Sequence, residues 1–349
     1  MADMTTLSRR RALAIAAGGL LVGGALAAGR WTAIRRGRTL YEIRHERTLM
    51  QTSVAVTALA DSAEAARHAI AIAFDRMTAA AAVLNRFNPA SAVAQLNRAG
   101  VLDASPPHLT AVLRHATNLA AATEGDFDIT VQPVIDYYLS LSRPVQMTPR
   151  LRRSVAERES RVGYRAVAFD GEHVRITRPG AGITLDGIAK GYVVDQGIAA
   201  LRAHGIGNAL IDAGGDLRAI ARPGGKRFWN VGIVDPLDTR KVAAAIRISN
   251  AALSTSGNYE VFFSADRRLF HIINPHTGYS PDRYASVTIV APEAIESDSA
   301  SVAAFSMSLA RMRDIAQARG DEFLVFSWDA KTRWRSKGLP LVAGEARVV

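Results

Sequence analysis

The chain contains no cysteine. That excludes disulfides, thiolate zinc sites, iron–sulfur clusters and a lipid-bearing cysteine anchor. It leaves the compartment open, because a cysteine-free chain tolerates oxidising and reducing surroundings alike. Aromatic residues reach only 7%, and no basic face carries them interleaved, so nucleic acid is not an expected partner. The sequence also lacks a P-loop, a GxGxxG fingerprint, an HExxH pair and a GxSxG nucleophile elbow. The commonest nucleotide, zinc-protease and hydrolase sites are thereby set aside.

Apolar residues make up 48% of the 349 positions, enough to bury a sizeable core. The net charge of +11 is unevenly placed. Residues 1–38 hold seven arginines and one aspartate, +6, which leaves +5 for the rest. Ser8-Arg9-Arg10-Arg11 precedes an uncharged run from Ala12 to Gly29, and Ala25-Leu26-Ala27 offers a small-x-small cleavage site. A charged segment before an apolar one is the secretory pattern, and paired arginines after a serine resemble a twin-arginine signal. The run is barely long enough to span a bilayer, and its glycines and alanines make it only mildly hydrophobic. The expected organisation is an export signal and basic linker over residues 1–38, one large body over 39–349, and a periplasmic location. If the run is retained, the N-terminus is expected to associate with the inner membrane.

Along the body, Thr48 to Leu59 reads as a strand. A helix starts at Asp61 or Ser62 and runs to about Phe87, and a second spans Pro107 to Ala122. Glu124 to Val131 is a turn into an extended piece, and residues 141–160 are a surface insertion with one helix. Asp170-Gly171 marks a hairpin within Tyr164 to Ile176. A helix is expected from Gly187 to His204, and strands over Asn208 to Ile220, Phe228 to Val234, Ala243 to Ile248, Ala251 to Ser256, Phe270 to Ile273 and Tyr284 to Val290. Ser297 to Ala318 reads as a helix and Glu322 to Ser327 as a last strand. Strands cluster late and helices scatter, so the class is α+β with mixed or antiparallel sheets and flanking helices.

Glycines and carboxylates interrupt this pattern at a few places, where function is expected. These are TLDGIAKGYVVD (Thr184 to Asp195), IDAGGDL (Ile211 to Leu217), HIINPHTG (His271 to Gly278) and ESDSA (Glu296 to Ala300). Singly, each has a plain reading. Asp186 caps a helix, Asp298 favours a helix start, Lys190 is solvated and His271 is a satisfied core histidine. In order, and with WNVGIVDP (Trp229 to Pro236), STSGNYE (Ser254 to Glu260), SDSASVA (Ser297 to Ala303) and the upstream RTLMQTSV, RFNPASAVAQLN and GDFDITVQP, they resemble the ApbE-type FAD:protein FMN transferases. The resemblance covers roughly residues 45 to 335.

The resemblance implies an ApbE-like, T-fold-related body. It also implies transfer of FMN from FAD to a Thr or Ser hydroxyl of an exported flavoprotein, with release of AMP. Mg2+ bridging the pyrophosphate would neutralise developing charge, and a base would accept the hydroxyl proton. By carry-over, Asp298 is a Mg2+ ligand and catalytic residue, and Gly187 contributes its backbone carbonyl to the metal. His271 is the general-base candidate and, with Ile272, lies in a flavin-contact segment. Met50, Phe87, Asp126, Phe127, Asp128, Thr184 and Lys190 match positions lining the FAD site, with Lys190 suited to a phosphate.

The chain also departs from the family. Val302 replaces the metal-binding threonine, Thr184 stands where aspartate is usual, and Asp186 where Gly or Ser is usual. Valine has no oxygen for a hard cation. Two expectations follow: Asp186 restores the displaced carboxylate at the FAD site, and Ser301, three residues after Asp298, supplies the lost hydroxyl to the metal. The alternatives are FAD hydrolysis to FMN and AMP, and a non-catalytic flavin-binding assembly factor, which Val302 keeps open.

Overall fold

The computed structural model describes residues 30–36, 40–225 and 227–348. The expected export signal at 1–29 lies outside the described residues. The chain opens with β1 (Arg30–Arg36), β2 (Leu40–Leu49) and β3 (Thr52–Ala60), then α1 (Ala63–Leu84) and α2 (Ala92–Ala99). A short β4 (Val101–Leu102) leads to α3 (Pro107–Ala122), α4 (Gln132–Ser140), α5 (Pro149–Glu159) and the hairpin of β5 (Val167–Asp170) and β6 (His173–Ile176). There follow α6 (Ala189–Ala203), β7 (Asn208–Ala213), β8 (Asp216–Ile220), β9 (Trp229–Val234), β10 (Val242–Ile248), β11 (Ala251–Gly257) and β12 (Tyr284–Ala291). The last elements are α7 (Ala294–Ser306), α8 (Leu309–Arg319), β13 (Glu322–Ser327), β14 (Arg333–Arg335), β15 (Leu341–Ala343) and β16 (Arg347–Val348).

Ten strands form one sheet in the order β1-β2-β3-β7-β8-β11-β12-β13-β14-β16. Its pairings are antiparallel except the parallel β14–β16 edge. Side chains alternate across it, as a period of two requires. Val56, Ile211, Ala252, Ile289, Phe323 and Val325 face α1, α3, α6 and α7, in a core with Phe74, Met77, Val194 and Ile198. Leu59, Leu210, Leu253, Val290, Leu324 and Phe326 face the small sheet β15-β10-β9, where Trp229, Val231, Ile233 and Ile246 cover them. Both faces of the middle strands are therefore dry, and all eight residues of β12 are buried. The architecture is α+β with helices on one face, as expected. A third, smaller core joins α4 and α5 to the 263–273 loop through Val134, Tyr138, Val155, Phe263, Leu269 and Ile273.

Several expected boundaries move, each for a local reason. The strand over Thr48 to Leu59 is a hairpin: Met50 and Gln51 turn with φ of 51° and 60°, between Leu49 and its partner Thr52. Left-handed pairs normally announce themselves as Asn-Gly, and this one does not. Asn208 to Ile220 is likewise two strands, split by Gly214 and Gly215 at φ 70° and 100°. The helix over Ser297 to Ala318 is two, because Ser308 caps a new start by accepting from the Arg311 N–H at 3.2 Å. Phe270 to Ile273 forms no strand. Ser280 Oγ takes the Phe270 N–H and donates to its carbonyl, so those groups never reach a ladder. Residues 30–36, read as linker, pair with β2, and Trp31 stacks on His45 at 3.8 Å.

Candidate active site

Three of the expected segments converge on the stretch before α6. Asn97, at the end of α2, grips it reciprocally: its amide nitrogen donates to the Ile183 carbonyl at 2.8 Å and its oxygen accepts the Ile183 N–H at 2.7 Å. The Thr184 N–H then donates to the Ile129 carbonyl at 2.8 Å. Segments 86–97 and 125–133 therefore hold the strand-like approach to α6. The helix begins at Ala189, two residues later than expected, with no side-chain cap. Asp186 is not the cap, which corrects that plain reading.

Where α6 starts, Lys190 forms an ion pair with Asp216, the first residue of β8. The glycine turn before Asp216 is closed by Asp212 Oδ1, which accepts the Gly215 N–H at 3.0 Å. Asp298, in α7, sits fully buried alongside, and its Oδ2 accepts the Gly191 N–H at 2.9 Å. Burial first, then the neighbouring Asp216 carboxylate, pushes the Asp298 pKa up, against the pull of Lys190. The structure thus brings Gly187, Lys190 and Asp298 into one neighbourhood and adds Asp216, which the sequence marks only within IDAGGDL.

The departures also have positions. A Cβ on Gly187 would lie 2.9 Å from a Val302 methyl, so that valine packs directly against the Gly187 backbone. Ser301 faces elsewhere: its hydroxyl donates to the Asp298 carbonyl at 2.8 Å and pairs with Ser256 of β11 at 2.7 Å. The side chain that packs on Gly187 is that of position 302, not 301. Asp186 accepts from Arg86 Nε at 2.9 Å, and Arg86 also donates to Asp136 at 2.7 Å. Among the described residues no three His, Cys, Asp or Glu side chains gather as a metal cage. Two buried carboxyl groups, Asp298 and Asp216, beside Lys190 nevertheless offer oxygens of the kind a divalent cation takes. Mg2+ characteristically takes one or two carboxylates and completes its shell with water and phosphate. Asp298 and the Gly187 carbonyl are the groups that would hold it.

The expected flavin-lining residues fall into two sets. Met50 occupies the strained hairpin turn described above. Because β3 pairs with β7 (Val54 with Ala213), that turn lies at the same sheet end as Gly214-Gly215 and Lys190. Phe87 is 56% exposed, with the Arg86 guanidinium 4.2 Å above its ring, as a residue offering a flat face would be. Asp126 accepts from Arg311 Nε at 2.9 Å and lies 3.3 Å from His276 Nε2, while Arg311 Nη2 donates to the Thr123 carbonyl. Phe127 is buried in the main core. Asp128 is turned inward, accepting from the Thr130 N–H and hydroxyl and from the Tyr164 N–H, and burial pushes its pKa up. These contacts give Asp128 a structural task. Ile272 is buried in the core.

His271 sits half-buried on the irregular loop. Its N–H donates to the Val261 carbonyl at 3.0 Å, and its Nδ1 lies 3.3 Å from the same oxygen. A carbonyl can only accept, so this contact is a hydrogen bond when Nδ1 carries a proton, and in the neutral ring Nε2 is then the acceptor. That is the tautomer a base needs. Arg86 and Arg311 escaped the sequence reading, because a lone arginine beside an aspartate far away in sequence leaves no local pattern.

Comparison with known proteins bears on this constellation. A model of the ApbE family matches residues 50–325. A "FAD:protein FMN transferase" of Haemophilus influenzae is 31% identical over 217 residues, 59% of this chain and 62% of that protein. Another from Treponema pallidum is 36% identical over 143 residues, 38% of this chain and 40% of that one. The chain thus spans less than two thirds of the length of these curated relatives. Among solved structures, an ApbE protein of Thermotoga maritima superposes with a TM-score of 0.73 at 25% identity, covering 90% of this chain and 97% of its own. The flavin transferase ApbE of Vibrio cholerae superposes with a TM-score of 0.68 at 21% identity, over 91% and 98%.

Proposed function

We propose that this chain, which belongs to the ApbE family, transfers FMN from FAD to a Thr or Ser hydroxyl of an acceptor protein and releases AMP. The observation that carries the reading is the meeting of Lys190, Asp216 and Asp298 where α6 starts. A lysine at a helix start and the positive end of the helix dipole suit a pyrophosphate there. The acceptor oxygen attacks the FMN phosphorus, its proton passes to His271 Nε2, and the P–O bond to AMP breaks with the electron pair leaving on AMP. Lys190 holds the phosphate charge while Asn97 and Ile129 keep its segment in place. Mg2+, when bound at Asp298, supplies charge neutralisation at the pyrophosphate.

We place the acceptor outside the cytoplasm, in keeping with Ser8-Arg9-Arg10-Arg11 and the uncharged run behind it. The acceptor is then an exported flavoprotein, met in the periplasm and, if the run is retained, at the inner membrane.

The packing of Val302 on Gly187 favours a second reading, a flavin-binding assembly factor without turnover. One experiment separates them. The protein is incubated with FAD, Mg2+ and an acceptor domain carrying a candidate threonine, then denatured. Flavin fluorescence that stays with the acceptor supports transfer. AMP without bound flavin indicates hydrolysis, and FAD binding without either product indicates the assembly factor. Absence of FAD binding rejects all three.

A further inference from the structure

We infer that α6 and α7 lock together by exchanging side-chain caps, and that Asp195 is a positioning residue that aims Asp298. The inference rests on the flavin-transfer reading, because it gives Asp298 its task. In α7, the N–H of Ala294 donates to Asp195 Oδ1 and that of Ile295 to Asp195 Oδ2, both at 2.9 Å. In α6, the N–H of Gly191 donates to Asp298 Oδ2 at 2.9 Å. The spacing is the same on both helices. Gly191 and Asp195 are four apart, as are Ala294 and Asp298, so each donor and acceptor share one face. Each helix gives first-turn N–H groups, which lack partners within their own helix, to the carboxylate one turn along the other.

Gly191 makes the exchange possible. A Cβ there would lie 2.1 Å from the Ala294 carbonyl oxygen, so the helices cross at backbone contact. The hydroxyl pairs Ser254–Ser297 at 2.9 Å and Ser256–Ser301 at 2.7 Å then fasten α7 to β11 on either side of Asp298. The two carboxylates differ in what remains to them. Arg218 Nη1 donates to Asp195 Oδ1 at 2.6 Å, which neutralises it. Asp298 Oδ1 takes no part in the exchange, and Asp216 and Lys190 lie beside the group. Asp195 therefore sets the register of α7, and Asp298 keeps an oxygen for the substrate side.

A double-mutant cycle tests this, read as single-turnover flavin transfer from FAD with MgCl2 to an acceptor domain. Asp195→Asn keeps one acceptor oxygen and loses the other. It is expected to slow transfer at least tenfold with Asp298 present, and less than twofold in an Asp298→Asn background. Equal fold-losses in both backgrounds would mean a general structural defect and overturn the inference. Should Asp195→Asn fail to fold, Ala294→Pro replaces it in the cycle. Proline suits the first helical position and deletes only that N–H. If the wild-type chain labels no acceptor, the transfer reading fails by itself. The cycle is then read on FAD affinity in MgCl2, where the same non-additivity upholds the positioning role and additivity rejects it.

Discussion

Where α6 crosses α7, three N–H to carboxylate contacts and an ion pair are packed among side chains almost sealed from water. Around His271 the backbone forms one isolated bridge, Phe262 with Phe270, and a serine hydroxyl stands in for a strand partner. The first region owes its geometry to helices and the second to a loop over the small core of Tyr138 and Phe263. The difference suits the proposed chemistry. A pyrophosphate is the same in every turnover, and a rigid pocket costs no reorganisation. An acceptor hydroxyl arrives on another protein, and a base on a half-buried loop can meet it.

The harshest way to break this comparison is Gly191→Ala. The added methyl would meet the α7 backbone, not a side chain that can swing aside. A loss of about 3 kcal/mol or more is expected in urea unfolding, with transfer abolished. A variant as stable as wild type would show that the crossing is loose.

His271→Ala should do the reverse, leaving stability within about 1 kcal/mol because the side chain is half-exposed. Transfer should fall about 100-fold or more, the usual range for a lost general base. FAD affinity, read by flavin fluorescence, should change little. Loss of stability comparable to Gly191→Ala would mean that the loop is as integral to the fold as the crossing.

The two regions were not equally legible in the sequence. Near α6 and α7, ordered motifs marked Thr184 to Asp195, AGGD and Asp298, because glycines and acids inside apolar runs stand out by contrast. The chemistry of Asp195 and Gly191 was hidden, since each contact spans about a hundred residues. At His271 the histidine stood out, but the strand assigned around it did not form. A four-residue stretch, Phe270 to Ile273, has no way to signal that a serine ten residues after Phe270 will take its hydrogen bonds. Met50-Gln51 is the opposite failure, a turn without turn residues. Such strain is characteristically retained where function needs it.

Arg86→Ala is a smaller perturbation at the edge between the regions. Arg86 is almost buried and holds Asp136, Asp186 and the Phe87 ring at once. Its partners are about half exposed and can regain water, so a cost of about 1–2 kcal/mol is expected. KM for FAD should rise several-fold with kcat nearly unchanged, since Phe87 loses its support but the reacting groups do not move. A fall in kcat at constant KM would place Arg86 among the groups that touch the phosphates.

The mildest change sharpens the comparison most. Val302→Thr swaps a methyl for a hydroxyl of nearly the same size, at a side chain already packed on Gly187. The fold should tolerate it, with a cost near 1 kcal/mol if the hydroxyl finds no partner. If Asp298 and the Gly187 carbonyl hold Mg2+ with water and phosphate completing its shell, a third protein oxygen should strengthen binding about tenfold. Calorimetry of Mg2+ with the FAD-loaded protein would register that gain, and the Mg2+ concentration for half-maximal transfer should fall by the same factor. Unchanged affinity with a folded protein would mean that the cation sits away from the Gly187–Val302 contact. The Asp298 side would then be a binding pocket alone, and the assembly-factor reading would gain at the expense of transfer.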